Sequence, residues 1–161
     1  MSAIVRTIAY ATVFVGIVLV YVPATVIERA GVGYPTAFGA AQFTGVLVGA
    51  IGAAIMLTCV GSFATIGEGT PAPFDPPRRL VVRGPYRFIR NPMYLGAALA
   101  LSGAAAFYGS IALLYYAMAL LIAAHLFVVF YEEPYLRRTF GDQYAAYCER
   151  VGRWLPRRRR A

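Results

Sequence analysis

Four long apolar stretches constrain the fold of this chain more than any other feature of its sequence. They cover residues 4–27, 39–66, 92–108 and 111–131. Stretches of roughly 17–25 apolar residues are long enough to cross the hydrocarbon core of a bilayer as helices. The pattern therefore predicts an all-α fold, a polytopic membrane helix bundle with about four transmembrane helices. One domain is expected over residues 1–161, because so short a chain lacks the material for a second core.

Composition points the same way. Hydrophobic residues make up 60% of the chain and charged residues only 14%, whereas soluble domains carry about 25% charged residues. The net charge is +8, and the arginines cluster beside the apolar stretches, which favours anionic lipid headgroups over nucleic acid as a partner. Cys59 and Cys148 lie far apart and form no C-x-x-C pair, so neither a disulfide framework nor a metal site is predicted.

The distribution of arginine predicts the orientation in the membrane. Residues 67–91 carry five arginines, and the C-terminal segment 132–161 carries eight. With four spans, these two segments and the N-terminus share one side, whereas Arg29 lies on the other. The positive-inside rule makes the arginine-rich side cytoplasmic. We therefore expect a cytoplasmic loop at residues 67–91 and cytoplasmic termini, in a bacterial-type cell membrane.

Two features of the first two stretches concern helix geometry. Pro23 has no backbone N–H and is predicted to kink the last turn of the first helix. Gly45 and Gly49 belong to a run of small residues, and small residues permit close approach of helices in lipid. The run allows a dimer without demonstrating one.

The C-terminal segment predicts an amphipathic helix that lies at the membrane interface. One helix face carries its apolar side chains at helical spacing: Phe140, Tyr144, Tyr147 and Val151. Asp142 stands where an N-cap is expected, and Trp154 suits the interface. Anionic headgroups are the expected partners of the basic tail, which consists of Arg157, Arg158, Arg159 and Arg160.

Two adjacent carboxylates, Glu132 and Glu133, follow the fourth stretch. Glu133 stands four residues before Arg137, the favourable order for a helical ion pair. Glu132 has no basic residue at either helical spacing and is left to face a ligand; solvated charges at headgroup level are the alternative. His125 lies one heptad before Glu132 and shares its helix face. Intramembrane ionisable residues are functional candidates, although a hydrogen bond to a backbone carbonyl or a tyrosine hydroxyl also explains a lone histidine.

The sequence R-G-P-Y-R-F-I-R-N-P-M-Y at residues 83–94 joins a turn to a helix start. Pro92 suits the first turn of a helix, and Asn91 then occupies the N-cap position. Free backbone N–H groups at a helix start attract a carboxylate or phosphate. The alternative is a positively charged loop that only sets topology.

The motif G-P-Y-x-x-x-R-N-P-x-Y is followed by an apolar hairpin and then by E-E-P-x-L-x-x-x-F-G-x-x-Y-x-x-Y. This combination resembles the isoprenylcysteine carboxyl methyltransferase and phospholipid methyltransferase family. The resemblance covers about residues 78–156, half of the chain. It implies an integral membrane enzyme that uses S-adenosylmethionine.

The resemblance also implies a cofactor site. Its residues would be Arg79, Leu80, Val81, Tyr86, Asn91, Pro92, Met93, Tyr94 and Glu132. Additional candidates are Arg78, Arg90 and His125. Glu132 would bind the amino group or ribose hydroxyls, and backbone groups near residues 79–81 and 91–94 would hold the adenine and methionyl ends. The catalytic residues are left open, because an amine, thiol or phenol acceptor would need a base that the sequence does not identify.

Two positions depart from the family pattern. The family commonly has histidine where this chain has Asn91, and asparagine forms hydrogen bonds but does not titrate. The prenylcysteine enzymes place an arginine one turn before the first glutamate, where this chain has Val128. The second departure argues against a prenylcysteine carboxylate as the substrate.

The sequence therefore predicts methyl transfer from S-adenosylmethionine to a lipophilic small molecule or lipid at the cytoplasmic membrane face. Transfer from a sulfonium is a direct displacement, so alignment and removal of water are the main requirements. One alternative is an NADPH-dependent membrane reductase, because such enzymes share a related arginine-proline-tyrosine region. Another is a non-catalytic scaffold of the same fold, for which the cavity between residues 78–94 and Glu132 is expected to be occluded or absent.

Overall fold

The computed structural model describes residues 5, 9, 12–67 and 78–157, and these residues form helices and no strand. We number the helices α1 (Thr12–Arg29), α2 (Ala40–Ser62), α3 (Pro92–Tyr108), α4 (Ile111–Phe127) and α5 (Glu133–Arg150). The all-α prediction is therefore confirmed over this part of the chain. Helices α1 and α2 and the continuous helix that joins α4 to α5 are long and apolar enough to cross a membrane, whereas α3 is shorter, with 17 residues.

The turn between α3 and α4 lies at the predicted break. Gly109 ends α3 in the left-handed region, with φ 63° and ψ 30°, a conformation that glycine adopts without a steric penalty. The Ser110 hydroxyl caps α4 by accepting a hydrogen bond from the Leu113 N–H, at 3.3 Å. Local turn chemistry therefore explains why this hairpin closes in two residues.

A π-helical turn precedes each of two prolines inside long helices. Gly16–Tyr21 precedes Pro23 in α1, and Val128–Glu132 precedes Pro134 at the start of α5. Proline removes a backbone donor, and its ring clashes with the carbonyl one turn before it. The wider π turn gives that carbonyl room. The sequence predicted that Pro23 would kink the last turn of the first helix. The structure instead has a π turn before Pro23.

The π turn in α1 creates a backbone acceptor that another helix satisfies. In this π turn the Val22 N–H donates to the Ile17 carbonyl, five residues earlier. The same spacing would pair the Val18 carbonyl with the N–H of residue 23, but Pro23 has no N–H to donate. The Tyr116 hydroxyl of α4 instead donates to the Val18 carbonyl at 2.9 Å. An unsatisfied carbonyl in hydrocarbon is costly, so this bond fixes α1 against α4.

Replacing Tyr116 with phenylalanine is expected to lower the free energy of unfolding by about 1 kcal/mol, because the Val18 carbonyl loses its donor. Tyr115→Phe is the matched control, since Tyr115 is 63% exposed on the same helix. The measurement is equilibrium unfolding in detergent micelles. Equal losses in the two variants would contradict the role assigned to this hydrogen bond.

Glycines let α2 and α3 approach closely. A Cβ on Gly45 would lie 2.6 Å from the Gly103 carbonyl oxygen, and a Cβ on Gly52 would lie 2.5 Å from the Gly96 carbonyl oxygen. Such distances exclude a side chain, so backbone packs on backbone. The small-residue run of α2 is therefore occupied within the chain, and this face is not available for a dimer.

The C-terminal helix has the predicted apolar face. Tyr144, Tyr147 and Val151 are buried together, and Phe140 packs against them. Leu80 from the preceding loop joins this cluster, so protein groups cover the face. Helix α5 continues directly from α4 and bends at Gly141, where φ is 49° and ψ is −125°. The bend lies one residue before Asp142, the predicted N-cap.

Candidate functional site

The loop before α3 is tied to the segment that follows α5. Within this loop, Gly84–Arg87 form a 3₁₀ turn. Ile89 pairs with Gly152 in an isolated parallel bridge, and the Arg90 N–H donates to the Gly152 carbonyl at 2.9 Å. The Tyr147 hydroxyl donates to the Tyr86 carbonyl at 2.6 Å. These bonds place the loop and the C-terminal segment at one end of the helix bundle.

Glu133 is buried and pairs with two arginines that are distant in sequence. The Arg90 Nη2 lies 3.1 Å from Oε1, and Arg153 contacts both carboxylate oxygens, with Nε at 2.7 Å and Nη2 at 2.9 Å. The hydrogen bond to Glu133 raises the pKa of Arg153. The predicted pairing with Arg137 is wrong, because Arg137 is exposed and lies over the Tyr144 ring, whereas the Glu133 carboxylate is turned into the protein.

A cavity of about 310 Å³ lies between this loop and the helices. Its polar lining comes from the loop, the first turn of α3 and the end of the π turn before α5: Tyr86, Arg90, Asn91, Tyr94 and Glu132. The rest of the lining is apolar: Phe14, Met56, Phe63, Met93, Ala97, Leu120, Ala123, Ala124 and Phe127. The cavity therefore has a polar end at the loop and an apolar remainder between the helices.

Hydrogen bonds orient the polar end of the cavity. The Tyr94 hydroxyl donates to Glu132 Oε2 at 3.1 Å. Burial raises the pKa of Tyr86 well above its ordinary value, so its phenol stays protonated. Two nitrogens of the Arg90 guanidinium contact Glu133 and the Cys148 sulfur. Its buried Nε has no hydrogen-bond partner among the residues that the structure describes.

The structure brings six of the predicted site residues together at the cavity. They are Tyr86, Arg90, Asn91, Met93, Tyr94 and Glu132. Glu132, which the ion-pair argument left without a helical partner, is the carboxylate that reaches the cavity.

The other six predicted residues do not line this cavity. Arg78 and Arg79 are exposed, and Pro92 is buried at the start of α3. Leu80 packs on the C-terminal cluster, and Val81 packs with Cys59 and Tyr86. His125 is exposed, and its Nδ1 accepts a hydrogen bond from the Trp154 indole at 3.0 Å. Their cofactor roles stay predictions.

Asn91 occupies the N-cap position of α3, as predicted, but its side chain does not cap the helix. Its Nδ2 donates instead to the Arg153 carbonyl at 3.2 Å. The amide therefore joins the loop to the C-terminal segment.

Apart from Met93, sequence reasoning missed the apolar lining, and it also missed Arg153. Nothing local distinguishes Phe14, Leu120 or Phe127 from side chains that face lipid, because all lie in uniformly apolar stretches. Arg153 follows Glu133 by twenty residues, beyond any helical spacing rule.

The comparisons with known proteins agree with this arrangement. A family model described as phospholipid methyltransferase matches residues 40–143, more than half of the chain. The match includes α2, α3, α4 and every polar residue of the cavity. Neither the curated proteins nor the solved structures contain a match. The chain, an integral membrane protein, therefore belongs to the phospholipid methyltransferase family.

Proposed function

We propose that this protein transfers a methyl group from S-adenosylmethionine to a lipophilic acceptor at the cytoplasmic face of the membrane. The observation that carries the proposal is the division of the cavity. Glu132, Tyr94 and Arg90 lie at its polar end, and apolar side chains form the remainder. Membership of a methyltransferase family supports the reaction class.

The polar end fits the charged groups of S-adenosylmethionine. The half-buried Glu132 carboxylate is an acceptor for an amino group or ribose hydroxyls, and Tyr94 holds its orientation. Arg90 is the cationic side chain among the described lining residues and would attract a carboxylate. Aromatic rings attract cations, and Phe63, Tyr86 and Phe127 contribute rings to the lining.

The role of the protein in the reaction follows from these residues. When bound, S-adenosylmethionine supplies a methyl group activated on a sulfonium. Glu132 and Arg90 bind and orient the polar groups, which sets the direction of the displacement. The apolar side chains exclude water, so hydrolysis does not compete.

The cavity also indicates the kind of acceptor. A volume of about 310 Å³ lies at the lower end of the range for small-molecule sites, about 300–1,000 Å³. A bound cofactor therefore leaves little room, and most of the acceptor must remain outside, in lipid. Arg90 is the only cationic side chain among the described lining residues, and it pairs with Glu133. An acceptor without a carboxylate near the reacting atom fits this charge distribution.

Neither alternative has a specific observation in its favour. A non-catalytic scaffold was expected to lack the cavity between the loop and Glu132, and a cavity is present. Binding of NADPH in preference to S-adenosylmethionine would distinguish an NADPH-dependent reductase from a methyltransferase.

The purified full-length protein in detergent micelles is expected to bind S-adenosylmethionine, as measured by isothermal titration calorimetry. Radioactive methyl groups are expected to enter the lipid fraction when membranes containing the protein receive labelled S-adenosylmethionine. Saturating NADPH should not displace the cofactor. Binding of NADPH in place of S-adenosylmethionine, or of neither ligand, would refute the proposal.

The proposed orientation places the arginine-rich side in the cytoplasm of a bacterial-type cell. Arg157 is exposed, and its guanidinium donates to the Glu149 carbonyl at 2.7 Å. The rest of the basic tail, residues 158–160, lies outside the described residues. Attraction of this tail to anionic headgroups is part of the proposal.

A further inference from the structure

We infer that Arg153 is a positioning residue that holds the polar end of the cavity in its binding geometry. It contacts Glu133 through its side chain and Asn91 through its backbone. The inference rests on the proposed function, because the geometry that Arg153 holds is the one that would bind S-adenosylmethionine. Arg153 does not itself line the cavity, so it acts through other residues.

The side-chain contact is a two-point ion pair. Nε and Nη2 of Arg153 meet Oε1 and Oε2 of Glu133 at 2.7 and 2.9 Å. The Glu133 side chain is only 7% exposed, whereas that of Arg153 is 34% exposed. A planar guanidinium fixes the carboxylate plane, which a lysine ammonium does not. Arg153 therefore determines how Glu133 presents its oxygens to the loop.

The backbone contacts join the same segment to the loop. The Arg153 carbonyl accepts from Asn91 Nδ2 at 3.2 Å, and the neighbouring Gly152 carbonyl accepts from the Arg90 N–H at 2.9 Å. Both loop residues line the cavity. One short segment after α5 thus holds two adjacent residues of the site.

Arg90 connects this ion pair to the cavity. Its Nη2 lies 3.1 Å from Glu133 Oε1, the oxygen that the Arg153 Nε also contacts. Without Arg153, the buried Glu133 carboxylate keeps Arg90 as its only ion-pair partner in the described part of the chain. A buried carboxylate that loses one of its partners is left partly uncompensated, which is costly, so Arg90 is expected to turn further toward Glu133. The Arg90 side chain, which lines the cavity, would then move relative to Glu132.

The test measures S-adenosylmethionine binding by calorimetry for the full-length protein in detergent micelles. Arg153→Gln is expected to weaken binding about tenfold. Arg153→Lys, which restores the charge but not the planar contact, should recover part of the loss. Arg150→Gln is the matched control, because Arg150 is exposed and its Nε bonds to the Ala146 carbonyl in its own helix. Its affinity should equal that of the wild type.

A second variant tests the route of the effect. If Arg153 acts through Glu133, then Arg153→Gln should weaken binding much less in a Glu133→Gln background than in the wild type. Independent, additive losses would mean that Arg153 acts by another route and would overturn the inference.

Amide hydrogen exchange without the cofactor separates this inference from the proposed function. Residues 84–94 should exchange faster in Arg153→Lys than in the wild type, whether or not S-adenosylmethionine binds. Absence of binding by the wild type overturns the proposed function. Wild-type affinity in Arg153→Gln would overturn only the inference about Arg153. If the glutamine variant fails to fold, an unchanged exchange rate of residues 84–94 in Arg153→Lys would overturn it instead.

Discussion

Replacing Glu132 with alanine is expected to weaken S-adenosylmethionine binding about a hundredfold. Hydrogen bonds to a charged group contribute about 1.5–3 kcal/mol, and about 2.8 kcal/mol corresponds to a hundredfold change in a dissociation constant. Glu132 is the one carboxylate among the described residues that line the cavity. Its loss also leaves the Tyr94 hydroxyl without the acceptor that it now contacts at 3.1 Å.

Calorimetry on a graded set of variants checks this result. Glu132→Gln keeps the shape but removes the charge and should fall between alanine and the wild type. Tyr94→Phe removes only the orienting hydroxyl and is expected to weaken binding about fivefold. Glu149→Ala is the control, because Glu149 is exposed on α5 and is not among the residues that line the cavity. Unchanged affinity in Glu132→Ala would remove Glu132 from the proposed site.

Replacing Gly52 with alanine is expected to lower the free energy of unfolding by about 2–3 kcal/mol. The new Cβ would lie 2.5 Å from the Ala100 nitrogen and from the Gly96 carbonyl oxygen. Both are backbone atoms of α3, so no rotamer change relieves the clash and the helices must separate. Overpacking of this kind costs about 1–3 kcal/mol, and separation also opens contacts along the whole α2–α3 interface.

Gly61→Ala is the matched control on the same helix. Its Cβ would meet nothing within 4 Å, and alanine is the better helix former by about 1 kcal/mol. This variant should therefore be as stable as the wild type or slightly more stable in detergent unfolding experiments. If Gly52→Ala behaves like Gly61→Ala, then α2 and α3 do not pack through their glycines.

Helix ends and turns were largely predictable because their causes are local. Helix α3 has the bounds of the predicted stretch 92–108, since Pro92 lacks a donor and Gly109, just after the helix, adopts a positive φ. The apolar face of α5 also followed from helical spacing. In contrast, helical spacing predicted that Glu133 pairs with Arg137, whereas in the structure Glu133 pairs with Arg90 and Arg153. A buried carboxylate binds the cations that tertiary packing brings to it.

The family resemblance anticipated much of the polar end of the site. Glu132, Tyr94 and Asn91 meet at one cavity because their segments flank one apolar hairpin, whose ends must return to the same side. No comparable sequence constraint identifies the apolar lining. From the sequence alone, Phe14 and Leu120 cannot be distinguished from lipid-facing side chains, because their place in the lining depends on how α1 and α4 pack.

The sequence by itself determined that the chain is a bundle of membrane helices, where several of those helices begin and end, and which polar segments share one side. These properties depend on apolar length and on backbone hydrogen bonding within a few residues. Only the tertiary structure decided that the glycines of α2 pack on α3, that Tyr116 satisfies the Val18 carbonyl, and that Arg153 holds Glu133. Such contacts join residues from separate segments, and their formation depends on how whole helices pack, which no local pattern encodes.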